Sequence, residues 1–188
     1  MEFVEPIREK RQIDAIKKIL RSNNLRDYTL FVMGINSGLR VGDLISLSIC
    51  DVLDNSHKIK DRIAIKEMKT GKSKNFPLSS NCKKAISEYL NSRSYNLNEP
   101  LFISRKKNQS LQRAQVWRII NGAARDVGIM DNIGTHTLRK TFAYHAYKSG
   151  IDITLIQRLL NHSSTSITLR YIGITRDQLD DVYLKLDL

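Results

Sequence analysis

Cysteine is scarce. The 188-residue chain has two, Cys50 and Cys82, with no CxxC pair and no histidine cluster beside them. That pattern excludes a zinc ribbon and a disulfide framework, and both thiols are expected to be buried and reduced. Proline (3) and glycine (9) are few and hydrophobic residues reach 41%, which excludes a fibrous or low-complexity chain. No apolar run reaches the ~20 residues that a membrane-spanning helix needs. The acidic start "MEFVEPIREK" also lacks the hydrophobic region of a signal peptide. A soluble cytoplasmic protein with no membrane partner is the expectation. Acidic residues are in deficit as well, 19 against 31 Lys and Arg, for a formal net charge of +12. They do not gather as the carboxylates of a two-metal nuclease would, so neither a metal nor a cofactor is expected. Self-repulsion at this net charge is relieved by a polyanion, either nucleic acid or an anionic membrane surface. The basic residues are spread over stretches with ordinary cores rather than on one amphipathic face, which favours nucleic acid.

What is present is mostly helical periodicity. Ile13, Ile16, Ile19 and Leu20 recur at helical spacing within 8–21, and a more apolar helix is expected over 25–36. Gly38 ends it, Leu39 and Arg40 make the turn, and 41–48 reads as a third helix with Leu44 and Leu47 inward. Within 62–78, "RIAIKEMKTGKSKNFPL" has two β-prone runs around a Gly-containing turn, a hairpin with Lys69, Lys72 and Lys74 near its tip. A helix follows over 80–92, and "LFIS" at 101–104 suggests a third short strand. Val116, Ile119, Ile120, Ala123, Ala124 and Val127 define an amphipathic helix over 111–127, closed by Gly128, with Arg118 and Arg125 on its polar side. Further helices are expected through Tyr147, over 153–160, over 167–171 and over 176–186. The fold class is therefore mainly α with a small antiparallel β-sheet (α+β), as a single domain over 1–188.

Within "GTHTLRKTFAYHAYKSG" (134–150), His136 and Arg139 stand three residues apart at a helix start, a spacing that puts both on one face and suits a phosphate. His145 lies on the apolar side of that helix and reads as structural; His57 reads as exposed and idle. Other cation-rich motifs are Arg40 in "GLRVGDL", Lys69 in "MKTGKSK" and His162 in "LLNHSST", with Tyr171 following in "TLRYI". In this order the set resembles the tyrosine recombinase, or phage integrase, family across nearly the whole chain.

The resemblance implies a tyrosine recombinase catalytic-domain fold and cleavage of double-stranded DNA, with Tyr171 as nucleophile and a 3′-phosphotyrosyl intermediate. The chemistry agrees with the residues. A phosphodiester under attack gathers negative charge, which preorganised cations stabilise, and Arg40 and Arg139 can each donate two parallel hydrogen bonds to phosphate oxygens. A phenol with pKa ~10 needs roughly 4 kcal/mol to ionise at pH 7, a cost that surrounding positive charge is expected to lower. His136 is suited to take the phenol proton or to bond the phosphate. The resemblance further selects Lys69 over Lys72 and Lys74 as the acid for the departing 5′ oxygen. It also makes His162 a phosphate donor and Asp43 a carboxylate that orients Arg40 or His136. The helix carrying Arg118 and Arg125 is expected to enter a major groove, with Lys72 and Lys74 as further DNA contacts. Only 39 residues precede Arg40, so the family's N-terminal DNA-clamping domain is expected to be absent. The segment 176–188, with an apolar stripe of Leu179, Val182, Tyr183 and Leu186, is expected to join protomers into a homotetramer on paired DNA sites, with a monomer when alone. Integration or excision of DNA is the implied role; a non-catalytic DNA-binding protein of the same fold and a type IB topoisomerase-like relaxation of DNA remain open.

Overall fold

The computed structural model describes residues 4–104 and 109–173. Its helices are α1 (Lys10–Asn23), α2 (Leu25–Ser37), α3 (Val41–Ile45), α4 (Ile49–Val52), α5 (Ser80–Asn91), α6 (Arg113–Asp126), α7 (Thr137–Lys148), α8 (Ile153–Leu159) and α9 (Thr165–Ile172). Strands β1 (Arg62–Lys66) and β2 (Ser73–Pro77) form an antiparallel pair in register from Arg62 opposite Pro77 to Lys66 opposite Ser73. The expected class, mainly α with a small antiparallel sheet, is the one observed. The expected helix at 176–186 lies outside the described residues.

Helix boundaries follow local chemistry. Asn24 closes α1 and caps α2, its side chain accepting from the Arg26 amide at 3.0 Å. Gly38 ends α2 in the left-handed region at φ 61°, and a Cβ there would meet the Phe142 ring at 2.7 Å, so both the turn and the close approach of α7 require glycine. The expected helix over 41–48 stops at Ile45, because Ser48 and Asp51 form a capping box that starts α4 as a separate turn. Cys50 sits on the outer side of that turn, opposite buried Ile49 and Val52. It is therefore exposed, against expectation, while Cys82 is buried. The third strand is absent too: around 100–110 only isolated bridges form, Ser48 with Pro100 and Ile103 with Ser110. Pro100 lacks a donor, and Leu101 and Phe102 are both fully buried, which breaks the alternation a strand face needs.

Two apolar clusters sit on either side of α7. The larger joins α1 to α6 with the hairpin and Leu138 of α7; the smaller is Ala143 of α7 with Ile156, Leu160 and Ile172 of the α8–α9 region. α7 lies close to α2, where a Cβ on Gly34 would meet Leu138 Cδ1 at 2.4 Å. The chain ahead of α1 is tied along α7: the Ile7 amide donates to Thr141 Oγ1 at 2.9 Å, and Thr137 Oγ1 donates to the Glu5 carbonyl at 2.9 Å. His145 closes the same seam through Nε2 and the Ile7 carbonyl, 2.9 Å apart, the structural role expected of it. Buried Arg139 therefore lies on the helix between the two clusters, where the ends of α2, α3, α8 and α9 converge.

Candidate active site

Arg139 of α7 is 3% exposed, and no carboxylate hydrogen-bonds it among the described residues. Its NH1 donates to the Gly38 carbonyl at 2.7 Å and its NH2 to the Leu160 carbonyl, so the ends of α2 and α8 hold the guanidinium. Burial pulls its pKa below the usual arginine range. A buried cation satisfied by neutral carbonyls still favours an incoming anion.

Arg40 takes the N-cap position of α3 in extended backbone. Its NH1 lies 2.9 Å from Glu67 Oε2 and 3.9 Å from Asp43 Oδ2. These are ion pairs without hydrogen-bond alignment, so the protons on this buried nitrogen remain available to another acceptor. Asp43 has a different task from the expected one: it is buried, and its Oδ1 accepts the Met68 amide at 2.9 Å, tying α3 to the hairpin turn.

Asn161, in the left-handed region at φ 51°, turns the chain sharply out of α8 and presents His162. The His162 amide donates to the Gln157 carbonyl at 3.0 Å, and its Nδ1 is 3.1 Å from Thr168 Oγ1 on α9. Tyr171, one helical turn further, packs edge-on against the His162 ring at 4.9 Å between centroids. Lys140 Nζ lies 5.2 Å over the Tyr171 ring. The Tyr171 hydroxyl is buried without a hydrogen bond of ordinary geometry. Burial pushes its pKa up to about 12, against the lowering pull of Arg139 and Arg40. The expectation that positive charge would ease ionisation is thus reversed in the DNA-free protein, because desolvation of the phenolate outweighs the two guanidiniums.

His136 is the N-cap residue of α7 rather than a member of its first turn, which leaves it more exposed than Arg139. It lines a cavity of about 690 Å³ together with Tyr171, Lys140, Arg170, Trp117 and Ile167. Burial and the charges of Arg139, Lys140, Arg113 and Arg40 hold its pKa below the usual histidine value. Burial, Arg139 and Arg40 press that of His162 down to about 4. Both imidazoles are neutral at pH 7.

The hairpin lysines separate. Lys69 and Lys72 are exposed in the turn, whereas Lys74, on the same face of β2 as buried Phe76, is half-buried with Nζ 3.2 Å from the Leu159 carbonyl. Burial and the charge of Arg139 bring its pKa down to about 8. On α6, Arg118 is exposed, while Arg125 folds onto the Ile129 carbonyl beyond the helix end. The structure thus brings together Arg40, Asp43, His136, Arg139, His162 and Tyr171, and leaves Lys69 at the rim.

Two further groups escaped the sequence reading. Glu67 reads as an ordinary exposed hairpin residue, yet it is 1% exposed. Arg113 reads as a helix-start cation, yet its NH2 lies 2.9 Å from where a Cβ on Gly42 would sit, beside Arg40. The "GD" after Arg40 is the only local sign that a side chain crosses there.

Comparison with known proteins agrees with this geometry. The Phage integrase family model matches residues 7–177. The chain belongs to that family, the tyrosine recombinases. It is 43% identical over 183 residues to the Bacillus subtilis (strain 168) protein named "Probable integrase/recombinase YoeC", covering 97% of each chain. It is 35% identical over 162 residues to tyrosine recombinase XerC of Pelobacter propionicus, covering 86% of this chain but 52% of that one. The crystal structure of XerA recombinase superposes with a TM-score of 0.75 at 26% identity, over 96% of this chain and 63% of that one. A lambda integrase dimer bound to a COC′ core site shares the fold at 21% identity, with a TM-score of 0.67 over 93% of this chain and 63% of that one. The chain thus spans between half and two thirds of these larger integrase-family proteins, and the part they share is the helical body and hairpin that carry the cationic cluster.

Proposed function

We propose that this protein is a site-specific DNA recombinase that cuts and rejoins strands through Tyr171. The observation that carries the proposal is a buried, unbonded phenol hydroxyl beside two buried arginines, of which Arg40 keeps unsatisfied donors. Double-stranded DNA is the partner, in keeping with the +12 charge and with DNA-bound relatives of the same fold.

In the proposed reaction the Tyr171 oxygen attacks phosphorus, an O–P bond forms to the 3′ side, and the bond to the 5′ oxygen breaks. A phenol held at about pKa 12 stays protonated at neutral pH, so its proton must leave as the attack develops. His136, neutral and lining the same cavity, is the acceptor. Arg40, Arg139 and His162 donate to the phosphate oxygens, and as negative charge grows there these contacts strengthen. The departing 5′ oxygen needs a proton, which Lys69 supplies when the exposed turn closes on DNA. No metal is required in this scheme, because the guanidiniums neutralise the phosphate. The active assembly is a homotetramer on paired DNA sites, acting in integration or excision.

A nicked suicide duplex tests the proposal. Wild-type protein should form a covalent adduct on denaturing electrophoresis, and Tyr171→Phe should not. An adduct that survives in Tyr171→Phe moves the nucleophile elsewhere; absence of intermolecular strand exchange by an adduct-forming protein points to DNA relaxation.

A further inference from the structure

Glu67 joins segments that the sequence keeps far apart. Its side chain is fully buried at the end of β1, and all three polar contacts converge on one carboxylate oxygen, Oε2. Thr70 Oγ1 donates to it at 2.6 Å from within the hairpin turn that carries Lys69. Asn161 Nδ2 donates at 3.1 Å from the loop that presents His162, 94 residues away in sequence. Arg40 NH1 completes the set at 2.9 Å. The backbone fixes Glu67 as well: its amide donates to the Lys72 carbonyl at 2.9 Å, and its carbonyl accepts from Gly71 at 2.8 Å.

A carboxylate this buried persists only if its partners offset the lost hydration. Burial opposes the charge, but Thr70, Arg40 and Asn161 together hold the carboxyl ionised below its usual range. The converse matters more for function. Without Glu67, Arg40 would retain only Asp43 at 3.9 Å, and a long guanidinium at a helix N-cap would sample several rotamers. The hairpin turn and the Asn161 loop would lose their common anchor at the same time.

We propose that Glu67 is a positioning residue that sets Arg40, the Lys69 turn and the His162 loop into one arrangement before DNA arrives. This rests on the recombinase reading above. The carboxylate does not touch the phosphate; it acts through the three segments it bonds. Outer-sphere partners of this kind typically alter activity about 10- to 100-fold when lost.

The test uses the full chain with Glu67→Gln, Glu67→Asp and Glu67→Ala. Glutamine keeps the shape and an acceptor for Thr70 but removes the charge that holds Arg40. Glu67→Gln is expected to bind DNA at least as tightly as wild type, since a negative charge near the phosphate is gone, while its single-turnover cleavage of the suicide duplex falls about 10- to 100-fold. Glu67→Asp is expected to recover part of that rate. Wild-type cleavage by Glu67→Gln overturns the proposal, as do parallel losses of cleavage, DNA binding and melting temperature, which would mark Glu67 as ordinary core. Hydrogen exchange provides a readout that does not need catalysis: in Glu67→Ala the His162 amide should lose protection together with the Gly71 amide. Unchanged protection at His162 overturns the proposal even if wild-type protein forms no adduct, an outcome that would separately refute the recombinase reading.

Discussion

The two arginines of the site are held differently, and substitutions should report it. Arg139 is fixed by the Gly38 and Leu160 carbonyls, so its fork is already aimed before substrate arrives. Arg139→Lys is expected to cost about 3 to 4 kcal/mol of barrier to cleavage with a smaller loss of DNA binding, read by filter binding beside single-turnover cleavage. Equal losses would reduce it to a simple phosphate clamp. For the lysines, a 5′-bridging phosphorothioate supplies a leaving group that needs no proton. Lys69→Ala should cleave that substrate while failing on ordinary DNA; if Lys74→Ala is the variant rescued instead, the acid is the half-buried lysine beside Leu159. His162 carries a pH signature. Its folded pKa of about 4 lies below the ordinary 6.5, so as pH falls through that window the unfolded chain takes up a proton that the folded chain refuses. Stability should therefore drop between pH 6.5 and 4, and the melting temperature of His162→Gln should fall less steeply than that of wild type.

Among the elements, α2 and α7 form the seam on which the site depends, because Gly38 at the end of α2 both turns the chain and anchors Arg139. Gly34 lets the same two helices approach: an added Cβ would lie 2.4 Å from Leu138 Cδ1 and 3.1 Å from Leu138 Cβ, so a rotamer change alone cannot clear it. Gly34→Ala is expected to lose about 1 to 3 kcal/mol of stability in chemical denaturation. A neutral result would show that the helices can separate without cost. On α6 the buried face of Val116, Ile120, Ala123 and Ala124 commits the helix to the core and turns Arg118 outward. Arg118→Ala should weaken DNA binding and reduce the salt slope by about 1. Arg125→Ala should do less, because that guanidinium is engaged by the Ile129 carbonyl.

At the scale of the whole molecule, the net charge of +12 makes binding a matter of counterion release, falling steeply with salt. No helix among the described residues is long and apolar enough to cross a membrane. Leu155 and Leu159 of α8 are exposed, and the sequence beyond Thr175 carries Leu179, Val182, Tyr183 and Leu186 in a second apolar stripe. Deleting the chain after Thr175 is expected to spare suicide-substrate cleavage while abolishing strand exchange in paired complexes. Cleavage and exchange lost together, with a lower melting temperature, would instead assign the segment to the catalytic body.

The order of helices, the hairpin and the identity of Arg40, Arg139, His162 and Tyr171 as a chemical set were legible in the sequence, because periodicity, capping residues and short motifs are local signals. Even the misses at this level were local: the Ser48–Asp51 box that splits a helix was visible but competing, and Pro100 with adjacent buried Leu101 and Phe102 spoke against a strand. What the tertiary structure alone decided is which groups are dry and what they face. Burial of Glu67 under Arg40 joins residues 27 positions apart in the chain, and Lys74 rather than Lys69 reaches the Leu159 carbonyl because β2 lies beside the end of α8. Desolvation follows the same rule: it raises Tyr171 and lowers His162 through atoms brought close by α7, α8 and α9, and no pattern along a linear chain encodes a dielectric environment.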